Sequence, residues 1–294
     1  MKHIKTVVVL GLMIILLSAI AAGYGLFSSG GSGEYSFTTI RGETVQIDGK
    51  GIYAYDSVSM AAQARAQDAV TLFLGVPLLI LSLILTVKGL IRGRLLLTGT
   101  LGYFLYTFAS YCFLAMYNSM FLVYVVLFSA CFFAFILTMM SFDKRMLPVY
   151  FKESLPAKSI AVFLWFIAFA IAMLWLGKIV NPLTKGLIPA GLEHYTTLTI
   201  QALDLAIVVP VAVVTGLLVI RRQSFGYLLA AVVIVKGVTM LTAISAMLGA
   251  MIYAGVKVSP VETAIFPIFN AGIIVCLVIL LRNVREPGKE EIIL

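Results

Sequence analysis

Eight apolar segments, each about 20 residues long, constrain this chain more than any other feature. The segments cover residues 6–27, 69–87, 95–117, 119–141, 159–179, 197–220, 225–253 and 263–281. A helix of that length crosses the hydrocarbon core of a bilayer and pairs its own backbone polar groups, because lipid offers them no partners. Since the runs are unbroken rather than alternating, they favour helices over a β-barrel. The sequence therefore predicts an all-α fold, a polytopic helical membrane protein with eight transmembrane helices in a single integral membrane domain over residues 1–294.

The composition places the chain in a membrane rather than in water. Hydrophobic residues make up 62% of the sequence and charged residues 12%, whereas soluble domains carry about 25% charged residues. The net charge of +8 lies in short clusters between the apolar segments, which is a topology signal and not the sign of a nucleic-acid partner. We expect a multi-pass protein of the cell membrane, in contact with the lipid bilayer and with no nucleic acid.

The lysines and arginines indicate how the helices are oriented. One set of loops, together with both chain ends, holds 14 of the 21 basic residues, and the other set holds six. An excess of Lys and Arg marks the cytoplasmic side, so both termini are predicted to be cytoplasmic. Residues 1–22 also resemble a secretory signal peptide, with Lys2 and Lys5 before an apolar stretch that ends in small residues around Ala21. The apolar run continues to Phe27, which favours a retained helix, whereas cleavage would leave seven spans and an outside N-terminus.

The longest loop, residues 28–67, is predicted to lie outside the cell as a small β-hairpin followed by a helix. Apolar and polar residues alternate in its first part, and Asp48-Gly49 is a turn signal. Asp56 or Ser57 is a suitable helix N-cap. The Ala-rich segment that follows is expected to run without a break into the second span.

Three charged residues are predicted at the extracellular mouth of the bundle. Arg65 and Asp68 are three residues apart on one helix face at the start of the second span. They form either a solvated surface pair or a gate or ligand contact. Glu193 is the third, in the second long outer loop at 180–196.

A parallel repeat is a candidate feature of the whole chain. Its halves would be residues 1–141 and 159–281. In each half an acidic residue precedes a proline, Asp68 before Pro77 and Asp204 before Pro210, and a basic inner loop and a Gly-Tyr pair follow. Each proline removes a helical hydrogen bond and is expected to kink its helix. Interrupted helices at matching places in two halves point to a central binding site.

Two opposite charges fall deep inside neighbouring spans. At about 1.5 Å per helical residue, Lys236 lies near the middle of the seventh span and Asp204 at a similar depth in the sixth. A lone charge at the bilayer centre costs about 2.5–3.5 kcal/mol on insertion scales, so both side chains are expected to face the interior and to pair directly. Further candidates for binding a ligand or ion around them are Asn270, Gln201, Thr239 and Tyr106. The pair either sets the register of the helices or belongs to an ion, proton or solute site that opens to the outer side.

Sequence motifs for catalysis, cofactors and metals are missing. The chain has no Walker A, HExxH or GxSxG motif, so enzymatic activity is not the expected function. Its two histidines, His3 and His194, and its three cysteines are dispersed and give no set of metal or haem ligands. We expect no metal site and no cofactor.

Two functions are consistent with these residues. The first is a transporter-like protein that binds a small solute or ion in an outward-facing polar cavity around Asp204 and Lys236. The second is a non-catalytic accessory or sensor subunit of a membrane complex, which docks a membrane-protein partner through the extracellular hairpin at 35–55. A cavity that joins the two charges and Asn270 to the outer side favours the first, and a sealed ion pair beneath an exposed apolar hairpin favours the second.

Overall fold

Eight long helices form the bundle in the computed structural model, which describes residues 3–286. They are α1 (Ile4–Phe27), α2 (Val58–Val87), α3 (Ile91–Phe113), α4 (Phe121–Met140), α5 (Ala157–Lys185), α6 (Thr199–Ile220), α7 (Ser224–Tyr253) and α8 (Pro260–Arg282). The predicted number of long helices is confirmed. Seven of them are long and apolar enough to cross a membrane, so the chain is a multi-pass membrane protein. The eighth, α3, is more polar because of its Thr, Gly and Tyr residues, and most of its side chains are buried.

The helices α3 and α7 lie side by side at the centre of the bundle. α3 packs against α2, α4 and α7, while α7 also packs against α2, α6 and α8. Gly99 of α3 allows the close approach, because a side chain there would collide with Val235 and lie in tight contact with the carbonyl of Ala231. The outer helix α1 packs on α2 and α4, and α5 packs on α6.

A small β-hairpin follows α1, as the sequence predicts. Its antiparallel strands are β1 (Tyr35–Thr38) and β2 (Thr44–Ile47). The turn between them does not use Asp48-Gly49, so that prediction is wrong. Instead the Thr39 hydroxyl accepts hydrogen bonds from two backbone amides of the loop, and Gly42 adopts the left-handed φ of 83° that closes it. Asp48-Gly49 follows β2 and leads into a short 3₁₀ turn at Gly51–Tyr53.

The helix α2 begins outside the predicted span and continues through it without a break. Ser57 is the N-cap, and its hydroxyl accepts a hydrogen bond from the Met60 amide at 3.1 Å. The Ala-rich first part of α2 packs closely against α7, since small side chains let two helix backbones approach. The long helix therefore joins the hairpin to the centre of the bundle.

Both α2 and α6 contain one turn of π-helix directly before a proline-containing turn. The π turns are Thr71–Gly75 and Asp204–Val208, and Pro77 and Pro210 follow each by two residues. A π turn places one extra residue in the helix and changes the direction of the side chains that precede it. The helix distortion expected at the two prolines is therefore a π turn that ends two residues before each of them.

The helical hairpins α2–α3 and α6–α7 match residue for residue around their π turns. A constant offset of 133, the difference between 71 and 204, relates the π turns, the ends of the first helices and the starts of the second helices. The connecting turns match too, because Gly89 and Arg222 both adopt left-handed φ, at 84° and 51°. Gly93 and Gly226 each lie against the backbone of the preceding helix, where a methyl group would not fit. The two hairpins therefore share one local geometry.

This offset differs from the correspondence inferred from residue types. The prolines correspond as expected, but Asp204 corresponds to Thr71 and not to Asp68. Gly226, from the second Gly-Tyr pair, corresponds to Gly93. Residue identity alone does not give the correct offset, because backbone hydrogen bonds set the ends of the helices.

The two ends of the bundle differ in structure and charge. The hairpin end carries β1, β2 and the loops 114–120 and 186–198. The basic end carries the segments 88–90, 141–156, 221–223 and 283–286. The segment 141–156 contacts both 221–223 and 283–286, and Arg92 and Arg94 of α3 bond to Val284 and Ser141. Here Glu286 accepts hydrogen bonds from the amides of Ile91 and Arg92 at 2.7 and 3.0 Å and so caps the N-terminus of α3. A cytoplasmic position for the basic end stays a prediction.

Candidate functional site

A partly open cavity of about 390 Å³ runs from the hairpin end into the middle of the bundle. Its walls come from α2, α3, α5, α6, α7 and α8 and from the loop 186–198. Most of the lining side chains are Leu, Ile, Met and other apolar residues, above all on α5 and α7. A volume of this size is typical of small-molecule sites, which span about 300–1,000 Å³.

The carboxylate of Asp204 faces this cavity between two aromatic hydrogen-bond donors. The Tyr106 hydroxyl of α3 donates to Oδ1 at 2.7 Å, and the Trp175 indole N–H of α5 donates to Oδ2 at 2.9 Å. Hydrogen bonds to an ionised acceptor are roughly twice as strong as neutral ones. Asp204 is the first residue of the π turn in α6, so the irregular turn positions this carboxylate.

The ammonium group of Lys236 lies over the face of the same tyrosine, 4.0 Å from the centre of the Tyr106 ring. Such a contact is attractive because the ring face carries negative charge. Asp204 and Lys236, both within the described residues, form no direct salt bridge, which differs from the predicted pair. Tyr106 connects them, with its hydroxyl on the carboxylate and its ring beneath the ammonium. We call Tyr106, Trp175, Asp204 and Lys236 the deep charge cluster.

The other predicted ligand-site residues divide into two groups. Gln201 lines the cavity one helical turn before Asp204. Thr239 does not line it, since its buried hydroxyl donates to backbone carbonyls of its own helix. Asn270 is also outside the lining and donates to the Thr242 hydroxyl at 3.1 Å, between α8 and α7. The structure therefore brings together four of the six candidates: Tyr106, Gln201, Asp204 and Lys236.

Arg65 and Asp68 do not lie at the cavity mouth and do not bind each other. Arg65 makes two hydrogen bonds to the Asp48 carboxylate, at 3.0 and 2.6 Å, and so ties α2 to the hairpin. Asp68 is only 1% exposed and accepts hydrogen bonds from the hydroxyls of Tyr53 and Tyr111 at 2.6 and 2.7 Å. Both residues anchor the hairpin segment to the helices.

Glu193 is the one predicted mouth residue that does line the cavity. It has a left-handed φ of 47° in the loop 186–198, and burial raises the pKa of its carboxyl. This loop is held against the hairpin, because Arg41 donates to the Tyr195 carbonyl at 3.1 Å. His194 lies 3.0 Å from the Tyr55 carbonyl and bonds to it. The loop thus borders the mouth in a defined position.

Asp56 links the hairpin segment to that loop. Its Oδ1 accepts hydrogen bonds from the Tyr195 hydroxyl at 2.9 Å and from the Met116 amide at 3.1 Å. Its Oδ2 is buried without a hydrogen-bond partner among the described residues. Burial, the largest effect, raises the pKa of Asp56 to about 6 despite the two hydrogen bonds, which act to lower it.

An ion pair between α5 and α8 lies on the cavity wall nearer the hairpin end. Lys178 binds Glu262 at 2.6 Å, and its ammonium also lies 5.4 Å from the centre of the Trp175 ring. These contacts continue from the deep charge cluster toward the mouth. Because the pair compensates itself, it adds no net charge to the cavity.

Sequence reasoning missed Trp175, Asp56 and Tyr195. Trp175 lies in a helix that is apolar all round, so periodicity does not reveal which face is buried. A usable signal was the indole N–H, which needs an acceptor when it lies within an apolar span. The sequence indicates for Asp56 only a role as a helix N-cap, and Ser57 occupies that position.

Comparison of the chain with protein-family models, with curated proteins and with solved structures finds no match, so the assignment of a function has to come from the site itself.

Proposed function

We propose that this protein is transporter-like and binds a small solute or ion in the cavity at the deep charge cluster. A single observation carries the proposal. Asp204 and Lys236 face one cavity that reaches the hairpin end, and they are not joined in a direct salt bridge. Both side chains therefore keep hydrogen-bonding capacity that a bound molecule can use.

The geometry argues against a purely structural ion pair. Two charges that only set the register of helices would gain most from direct contact, since each loses several kcal/mol of hydration when buried. Here the ammonium rests on a ring face instead, and the carboxylate binds two aromatic donors. Ionisable groups arranged in this way inside a membrane typically mark a solute or ion pathway.

We also propose that the two matching hairpins are parts of an internal parallel repeat. At the positions equivalent to Asp204 and Lys236, the first half has Thr71 and Tyr103, whose hydroxyls are buried and hydrogen-bonded at 2.9 Å. Gln67 donates to the same Tyr103 hydroxyl at 2.7 Å. In the first half, neutral side chains fill these positions and hydrogen-bond to one another. In the second half, the same positions carry charged side chains that face the cavity. Interrupted helices at matching places are typical of transporter binding sites.

In this proposal all eight helices span the cell membrane and the hairpin end faces outward. The basic segments at the opposite end supply the charge asymmetry that favours this orientation. The polar α3 is shielded from lipid because it lies between other helices. The cavity then opens toward the outer side.

The test is flux in proteoliposomes that contain the purified chain, measured with a pH-sensitive dye for protons and with labelled solutes. Asp204→Asn and Lys236→Met are each expected to abolish flux, because each removes one charge that faces the cavity. Ser245→Ala is the matched control, since Ser245 lies on α7, outside the cavity lining, and bonds to its own helix. Normal flux in both charge variants would contradict the proposal.

A second candidate is an accessory subunit that docks a partner through the hairpin. It is favoured by Ile40 at the hairpin turn, which is 96% exposed, and by Tyr35, which is also exposed. The same flux assay separates the two functions. A transporter shows flux as the purified chain and keeps it with Ile40→Ser, whereas an accessory subunit shows no flux of its own.

A further inference from the structure

The deep charge cluster offers an unused cation and a partly used anion to the same space. Lys236 has three N–H donors and makes no hydrogen bond to any residue in the range 3–286, its contact being with the Tyr106 ring. Asp204 accepts two hydrogen bonds, and a carboxylate has about four acceptor positions. Gln201 lines the cavity beside them and adds a neutral amide. A bound molecule therefore meets a free donor group and a free acceptor group side by side.

The charge balance around the deep charge cluster selects among ligands. Its two charges cancel each other, and the Lys178–Glu262 pair nearer the mouth is already compensated. The other lining carboxyls, Asp56 and Glu193, belong to the mouth, where the hairpin segment meets the loop 186–198. A ligand with a net charge would leave one protein charge unpaired in apolar surroundings, which is costly. A ligand that carries one positive and one negative group, and no net charge, matches both.

The cavity walls on both sides of the deep charge cluster select for an apolar body. They include Leu164, Ile167, Ile171, Leu241, Ile244 and Phe269. These residues offer no hydrogen bonds from their side chains, so a polar ligand body would lose its hydration without compensation. The volume of about 390 Å³ leaves space for such a body beyond the charged groups.

We infer that the cavity binds a zwitterion with an apolar body, its anionic group at Lys236 and its ammonium group at Asp204. The inference rests on the proposed function and specifies the ligand of that site. Two sources supply this chemistry, a free amino acid with an apolar side chain and a lipid with an ethanolamine phosphate headgroup. They share the pair of charges and differ in the anion and in the length of the apolar part.

The test measures binding to the full-length protein in a non-ionic detergent by titration calorimetry. The probes are L-phenylalanine, 3-phenylpropionate, which lacks the ammonium, and 2-phenylethylamine, which lacks the carboxylate. We expect phenylalanine to bind at least ten-fold more tightly than either single-charge probe. A second arm compares short-chain phosphatidylethanolamine with phosphatidylglycerol of the same chain length, and preference for the former without phenylalanine binding identifies a lipid as the source.

Variants that remove one charge are expected to change which probe binds best, and a loss of structure would not produce such a change. Lys236→Met removes the partner of the anion, so 2-phenylethylamine is expected to bind as well as phenylalanine or better. Asp204→Asn reverses the preference toward 3-phenylpropionate. If a variant fails to fold, the comparison of probes on the parent protein still decides the matter.

Two outcomes would overturn the inference. One is equal binding of the zwitterion and a single-charge probe by the parent protein, and the other is no binding of any zwitterion. Charge-dependent flux of some other solute, together with the second outcome, would leave the proposed function intact and remove only this ligand class. If no zwitterion binds and no solute shows flux that depends on Asp204 and Lys236, the transport proposal is removed as well.

Discussion

At the scale of single residues, Tyr106 decides how two buried charges coexist. Its hydroxyl donates to Asp204, while its ring face contacts Lys236. One side chain thus serves an anion at its edge and a cation on its face, which the charge distribution of an aromatic ring allows. This arrangement keeps the two charges from closing onto each other.

The carboxyl of Asp56 gives a prediction at the same scale. Its pKa in the folded chain is about 6, raised by burial from an ordinary value of 3.8. The folded state therefore holds this proton more tightly, and stability is lost as pH rises from about 4 to about 6. The difference between the two pKa values corresponds to about 3 kcal/mol. The Arg65–Asp48 pair and Tyr195 are the charged and titratable groups that act on it.

Asp56→Asn is expected to remove this loss of stability. The amide oxygen can still accept from the Met116 amide and the Tyr195 hydroxyl, but no charge forms. The thermal midpoint of the purified protein, measured between pH 4 and pH 7, should rise relative to the parent as pH increases. Asp143→Asn, at an exposed carboxyl of the basic end, is the control and should follow the parent. Parallel curves for all three proteins would contradict the assignment.

At the scale of elements, the two matching hairpins α2–α3 and α6–α7 depend on the same close backbone contact. Gly93 lies against Leu85 and Thr86, and Gly226 lies against Leu218 and Val219. The pairs differ by the same offset of 133 in residue number. The two helices of each hairpin can pack this closely next to the connecting turn only if the third residue of the second helix is glycine.

Gly93→Ala and Gly226→Ala are expected to destabilise the protein to a similar extent. A methyl group at either place meets backbone atoms that cannot rotate away, so each change should lower the free energy of unfolding by about 1–3 kcal/mol. Unfolding in a titration with a denaturing detergent measures the effect. Gly249→Ala is the matched control in α7, because nothing lies within 4 Å of the added methyl group. A neutral effect at Gly226 and a large one at Gly93 would show that the two contacts are not equivalent.

The elements also show which parts of the fold the sequence can predict. Long apolar runs define the helices, because length and hydropathy are enough to recognise a span. The hairpin was predicted from alternation, but its turn was misplaced, since Gly42 and Asp48-Gly49 are both acceptable turn sequences. The π turns carry no composition signal of their own, and only the following prolines pointed to an irregular helix.

The sequence predicts those site residues that carry a charge within an apolar helix. Lys236 and Asp204 stand out in apolar helices, because burying a charge needs a specific reason. Depth alone places Thr239 and Asn270 beside them, but Thr239 bonds to its own helix and Asn270 bonds to Thr242. A helix that is apolar on all sides gives no indication of which face meets the cavity, so depth is predictable and direction is not.

At the scale of the whole molecule, the bundle has a hairpin end and a basic end, and their difference in charge predicts an orientation in the membrane. The contacts of Glu286, Arg92 and Arg222 join the basic segments to one another. The hairpin and the loop 186–198 form the other end. A rule based on loop charge predicts the basic end to be cytoplasmic.

Cysteine labelling in intact cells tests this orientation. Ser32→Cys at the hairpin end and Lys144→Cys at the basic end are made separately in a chain whose three native cysteines are replaced by Ala. A membrane-impermeant maleimide is expected to label Cys at position 32 from outside, and at position 144 only after permeabilisation. Both side chains are exposed, so access depends on the membrane and not on packing. The reverse pattern would place the cavity mouth in the cytoplasm.

The π turn in α6 has an implication for tolerance to insertions and deletions. One residue more or less rotates the remainder of a helix by about 100°. Deleting a single amino acid between 204 and 208 would restore ordinary winding and swing the carboxylate away from Tyr106 and Trp175, without altering any other residue. The direction of the Asp204 side chain therefore depends on the number of residues in this one turn. Deleting a single codon there would disrupt the site more than most substitutions would.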